Sequence, residues 1–133
     1  MSTVHMLQMT RDQDVTTALY AYLADKKWKG AVILGGIGSV TSMTVANPIS
    51  HGSPPKIGIK KLDEPLEVLG FTGELFAKGS EPDNMPGFAK ENPTNYVIHI
   101  HVSVSHSDGS MTGGGYREAT VMRGLNLYMI ELT

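Results

Sequence analysis

The sequence predicts an α+β fold, a mostly antiparallel β-sheet packed with one main helix. Three observations carry this. A single stretch near the N-terminus has helical periodicity. Nearly everything after it falls into short alternating or β-branched runs, and turns rich in Gly, Pro, Asn and Ser separate those runs.

Residues 3–9 (TVHMLQM) read as a strand. Thr10 and Gln13 then have the spacing of a capping box, in which two side chains satisfy free amides at a helix start. Val15, Ala18, Leu19, Tyr22 and Leu23 follow at i, i+3, i+4, i+7 and i+8, one apolar helix face. Lys26, Lys27 and Lys29 suit the negative end of that helix, and Gly30 suits its stop. Beyond it, AVILGG and the run 39–46 read as strands separated by glycines. Residues 47–55 are turn chemistry, 56–62 alternate, and 66–77 form a strand with a bend expected at Gly70 or Gly73. Residues 78–95 hold three prolines and no periodicity, a long surface loop of the kind that often covers a site. Strand character returns at Tyr96 and again from Ala119 to Leu132.

With 133 residues, 41% hydrophobic and 18% charged, the chain reads as a single soluble domain spanning 1–133. It has no cysteine, which excludes disulfides, thiolate metal sites and cysteine nucleophiles. Neither a secretory leader nor a membrane-length apolar run is evident, so a cytoplasmic location without membrane contact is expected. The net charge of −2 disfavours coating nucleic acid by bulk charge.

The segment NYVIHIHVSVSHSDG carries the chemistry. On a strand, Tyr96, Ile98, Ile100, Val102 and Val104 share a buried face, while Val97, His99, His101, Ser103 and Ser105 share the other. The two imidazoles then stand roughly 6–7 Å apart along the strand. That spacing lets both reach one zinc-like ion at about 2.0–2.1 Å, given a further ligand. It serves as well for a hydrogen-bonded pocket or a subunit contact, ahead of an idle surface pair. Ser105, His106 and Asp108 are crowded into a hairpin turn with Asp-Gly at its tip, whereas a catalytic triad converges from separate elements. The glycines at 35, 36 and 38 lack the lysine of a phosphate loop and the helix that follows a dinucleotide fingerprint. They read as a tight connection or a close backbone approach, as do Gly113, Gly114 and Gly115. Lys26, Lys27 and Lys29 around Trp28 are weak candidates for nucleic-acid contact, and more simply complement a helix end under a core-capping tryptophan.

Three features occur together: Gly35-Gly36-Ile37-Gly38-Ser39-Val40, then Leu66-Glu67-Val68-Leu69 with Gly73, then His99-x-His101-x-Ser103 leading to Asp108-Gly109 and Gly113-Gly114. In this order the chain resembles, over nearly its whole length, the plant and prokaryote conserved domain, found beside AT-hooks in plant nuclear proteins and alone in prokaryotes. The resemblance implies an antiparallel α+β domain acting as a homotrimer. Bacterial members are described as predicted DNA-binding proteins, and some members carry a histidine-bound metal. A site of zinc or another divalent transition metal would then use His99 and His101, with His106 or His51 from a loop. Glu67 and Ser103 complete the candidate pocket. The family's Gly-Gly-His is replaced here by Gly-Gly-Gly, so Gly115 stands where a third ligand is expected. The Gly-Arg that precedes the plant-type motif is Glu64-Pro65 here.

Three functional classes follow. The first is a DNA-binding homotrimer, in which Lys56, Lys60 and Lys61 extend the basic patch and affinity falls with salt. Three copies at −2 each sum to −6, which works against it. The second is a trimer that binds a metal or small ligand, with enzymatic chemistry left open and no nucleophile identified. The third is an oligomerisation scaffold.

Overall fold

The computed structural model describes residues 3–87 and 95–133. The elements are β1 (His5–Thr10), α1 (Val15–Lys26), β2 (Gly30–Pro48), β3 (Ile57–Leu62), β4 (Leu66–Ala77), β5 (Tyr96–Ser105) and β6 (Met111–Glu131). The α+β class is as the sequence predicts: the described residues form one helix and a six-stranded sheet of antiparallel pairs in the order β1-β6-β5-β4-β2-β3. β6 also pairs with β2, so the sheet closes on itself through β2, β4, β5 and β6.

The helix face is the predicted one, since Val15, Leu19 and Leu23 are buried while Ala18 and Tyr22 pack at its margin. Its ends differ. Asp14 is the cap, its Oδ2 accepting from the Thr17 amide at 2.9 Å. Asp14 directly precedes the first helical residue, where a short carboxylate reaches the free amides. The Thr10–Gln13 pair forms one turn earlier, the Thr10 amide donating to Gln13 Oε1 at 2.7 Å to close the turn after β1. At the other end the left-handed residue is Lys27, at φ 56°. The chain must reverse there so that Trp28 can dock edge-on against His5 and Tyr22, and Gly30 already belongs to β2.

β2 and β6, which read as broken runs in the sequence, are two long continuous strands. They pair from Ala31–Glu131 to Ala46–Gly115, with register shifts that let them bend around the core. The glycines of the first motif lie inside β2. A Cβ on Gly38, at φ 153°, would lie 2.1 Å from the Gly124 carbonyl oxygen across the seam, the close backbone approach that the sequence suggests. β6 begins at Met111, not near 119, because the featureless Gly113–Gly115 run is held by β5 on one side and by β2 at Gly115 on the other. β4 runs continuously from Leu66 to Ala77, with a register shift against β5 between Val68 and Gly70.

The main core is an apolar cluster including Phe71, Leu75, Ile100, Val102, Val104, Leu125 and Leu127. Burying each such side chain contributes about 1.5–3 kcal/mol relative to exposure. Val97 shares the histidine face yet is fully buried, because Met85 from the loop after β4 and Phe76 cover it. The described part of that loop ends at Gly87; the remainder of the 78–95 stretch, 88–94, lies outside the described residues. Among the described residues no helix is long and apolar enough to cross a membrane.

Candidate functional site

β5 presents His99 and His101 on the outer face of the sheet, paired with Glu74 and Thr72 of β4. The two rings meet edge to face, 5.0 Å between centroids and 88° between planes. His99 Nδ1 lies 3.4 Å from Glu74 Oε1. Together the rings form a ridge between two depressions. One is a shallow groove over Val32, Thr72 and Glu74. The other is a pocket of about 990 Å³.

Local sequence builds the larger pocket. Its far wall is Pro48, Pro54, Pro55 and Ile57, supplied by the end of β2, the turn after it and β3. That turn is fixed by the Ile49 amide donating to the Lys56 carbonyl and the Lys56 amide donating to Ser50 Oγ, both at 2.8 Å. Pro86 and Gly87 of the loop after β4 close one side. Gly114, at φ 155°, leaves room for the Asn47 amide, which donates to the Gly113 carbonyl at 3.0 Å; a Cβ there would lie 2.4 Å from Asn47 Nδ2. Arg117 enters through a β-bulge. Val45 pairs with Tyr116 and Thr44 with Glu118, so Arg117 is the extra residue, and a bulge re-aims the side chain it carries. Its Nε is fully buried. Beneath it, Tyr116 anchors the strand, its hydroxyl 2.7 Å from Thr16 Oγ1 and its ring against Phe71. Burial pushes the Tyr116 hydroxyl well above the ordinary tyrosine range. Among the described lining residues there is one guanidinium, two imidazoles and no carboxylate.

The other candidates are distributed elsewhere. His106 stands at the β5–β6 hairpin, its Nδ1 against the Glu64 carboxylate and its Nε2 2.7 Å from Thr112 Oγ1. Five residues from His101 is about 16 Å of strand, so it does not join the pair. Ser105 donates to the His106 carbonyl rather than to an imidazole, and Asp108 accepts from the Ser110 amide and hydroxyl at the hairpin tip. Those bonds hold the Asp108 carboxyl below the usual carboxylate range. The turn reading of this segment is therefore the structural one. Ser103 sits two residues along the histidine face, against Gly70 and Gly113, and lines neither depression. Glu67 is exposed farther along β4, opposite Ser105. His51 is exposed in the turn after β2, beside but not among the lining residues. Lys26, Lys27 and Lys29 lie at the end of α1, whereas Lys60 and Lys61 pair with Val45 and Thr44 near the opposite end of β2. Fifteen residues of strand, about 50 Å of contour, separate the two lysine groups. Sequence reasoning missed Arg117, Asn47, Glu74 and the proline wall.

The register bears on the metal that the family resemblance implies. Gly115 pairs with His101, so a histidine there would stand beside the other two. Glycine offers no donor, and zinc sites use three or four protein ligands. Among the described residues no group of three or more His, Cys, Asp or Glu is arranged to hold a metal ion. The donors among the described residues do not complete such a site.

The fold is that of a known domain class. The sequence profile of the Plants and Prokaryotes Conserved (PCC) domain matches residues 1–133, and the chain belongs to that family. Among solved structures it is similar to a metal-containing protein from Archaeoglobus fulgidus, with 22% identity, TM-score 0.76 and coverage of 98% of this chain and 80% of that one. It is similar also to a plant- and prokaryote-conserved protein from Pyrococcus horikoshii (15%, TM-score 0.76, 100% and 82%). A third is a putative DNA-binding protein from Bacteroides thetaiotaomicron (18%, TM-score 0.72, 98% and 83%). Among curated proteins none matched.

Proposed function

We propose that this chain is a small-ligand-binding protein acting as a homotrimer, with the ligand seated against His99 and His101. The pocket of about 990 Å³ carries the reading. It has the size range and the mix of apolar wall with a few polar groups that ligand sites show. A homotrimer is supported by the exposed apolar side chains on the outer side of β2 and β4: Leu34, Ile37 and Leu69 are 49%, 68% and 51% exposed. Such a cluster on a sheet face is more typical of an interface than of an open surface. A divalent transition metal at the two imidazoles is compatible with this reading only when another copy or another segment adds a donor.

The test is a thermal-shift screen against a metabolite and metal collection, run on wild type and on a His99→Ala/His101→Ala variant, with mass measured by light scattering. Stabilising compounds that lose their effect in the variant support the reading. A screen whose hits ignore the double substitution sinks it, and a monomeric mass removes the trimer.

DNA binding is the second reading, favoured by the Bacteroides structure's description as a putative DNA-binding protein. Lys26, Lys27 and Lys29 are its contact candidates on this chain. Duplex affinity that drops steeply with salt and falls when the three become glutamine supports it, because phosphate contacts release counterions. A flat salt response counts against it.

A further inference from the structure

We infer that the pocket takes a flat ring, an aromatic or heteroaromatic small molecule, laid on a shelf of bare backbone at Gly115 beside the His101 imidazole. The inference rests on the pocket reading above and adds the ligand's shape. The register of the sheet builds the shelf. His101 pairs with Gly115, Gly115 with Ala46 and Ala46 with Ile59, so four neighbouring strands contribute one row to the same face. Three strand spacings separate the ends of that row, about 14 Å between the His101 and Ile59 backbones. The two residues between them carry one methyl group in all. A Cβ on Gly115 would meet the Ala46 carbonyl oxygen at 3.1 Å and nothing else within 4 Å, so the space above that strand is open.

The walls fit the same occupant. On one side stands the exposed His101 ring, edge to face with His99. On the other, Pro48 and Ile57 pair with each other, two residues from Ala46 and Ile59 and hence on their face, and Pro54 and Pro55 extend that carbon surface. A planar ring meets a bare strand with all of its atoms. A puckered ring holds alternate atoms away, and a gap of about 0.5–1 Å forfeits a quarter to a half of each contact. Aromatic character adds an offset or edge-to-face pairing with the His101 ring. A polar substituent turned toward His101 meets one donor and one acceptor nitrogen on the neutral imidazole. A branched aliphatic ligand would fill the volume and leave both the shelf and the ring pairing unused.

The experiment titrates benzamide and cyclohexanecarboxamide, the same amide on a flat and on a puckered ring, into the full-length protein. Affinities are fitted from amide NMR shifts around Ala46, His101 and Gly115. Benzamide is expected to bind about tenfold more tightly. A pocket that selected by apolar area alone would favour the saturated ring, which buries more hydrocarbon. Gly115→Val puts a branched side chain on the shelf and should weaken benzamide at least about tenfold. Where that variant does not fold, His101→Ala, at an exposed position, serves; it should bring benzamide down to the affinity of the saturated amide and leave the latter unchanged. Equal or tighter binding of the saturated amide, or a benzamide preference that neither variant changes, overturns the flat-ring assignment while leaving a ligand pocket. Silence from both probes also overturns it, and the pocket reading is then decided separately by the thermal-shift screen on the His99→Ala/His101→Ala variant.

Discussion

Gly38→Ala tests how the two long strands are joined. The added methyl carbon would stand 2.1 Å from the Gly124 carbonyl oxygen and 2.6 Å from Leu125 Cα, both backbone atoms of the strand that β2 pairs with. Ordinary contact begins at 3.4 Å, so the seam must open by 3.4 − 2.1 = 1.3 Å at a point where Gly38 and Leu125 are register partners. Overpacking of this kind costs about 1–3 kcal/mol, and an alanine held at φ 153° adds about 1–3 kcal/mol of backbone strain. The sum centres near 4 kcal/mol, which for a chain of this size lowers Tm by about 15 °C. Gly35→Ala is the control from the same motif: nothing lies within 4 Å of its added carbon. That variant should match wild type or gain up to ~1 kcal/mol through the unfolded state. Thermal unfolding followed by circular dichroism reads both. Equal melting of the two variants, or a drop below about 5 °C for Gly38→Ala, would refute the close approach as the reason for glycine there.

Tyr116→Phe should cost about 1 kcal/mol through loss of the 2.7 Å bond to Thr16, seen as a lower urea midpoint. It should also change the alkaline limb. The folded hydroxyl holds its proton above the ordinary tyrosine range, so its contribution is fully present below about pH 10 and is lost as pH rises beyond that. Wild type should weaken more steeply than the variant between about pH 9 and 11, and parallel curves would show that burial of this hydroxyl does not set the dependence. Gly115→His should create a three-imidazole site, because its Cβ meets only the Ala46 carbonyl, at 3.1 Å, and the residue lies across from His101. Zinc affinity measured against a chromophoric chelator should rise at least about tenfold and fall back when His101 becomes alanine. No gain would mean that the three positions do not converge.

What the sequence discloses is what local chemistry controls. The i, i+3, i+4 spacing of Val15, Ala18 and Leu19, the turn residues Asp108-Gly109 and the alternation around Ile100 and Val102 all report on the few residues beside them. The histidine face was legible for the same reason, since two side chains at i, i+2 share a strand face in any register. Arg117 was not, because a bulge exists only as a mismatch between two strands some seventy residues apart, 45 and 44 against 116 and 118. The burial of Val97 was hidden likewise: its alternation marks an outer position, and only the packing of Met85 and Phe76 over it makes a second small core. His106 was a candidate ligand through the family resemblance, but its imidazole is taken up by Glu64 and Thr112 at the hairpin, a pairing set by where β3 ends and β6 begins. The cap shifted from Thr10 to Asp14 because a side chain must sit immediately before the first helical residue to reach its amides.

The central claim is that the space between His99, His101 and Arg117 is a binding site, and a crystallographic fragment screen of the wild-type protein tests it most directly. The account predicts that bound fragments concentrate in that pocket, with their apolar parts on Pro54, Pro55 and Ile57. Fragments gathered elsewhere, with this pocket empty across the screen, would contradict it.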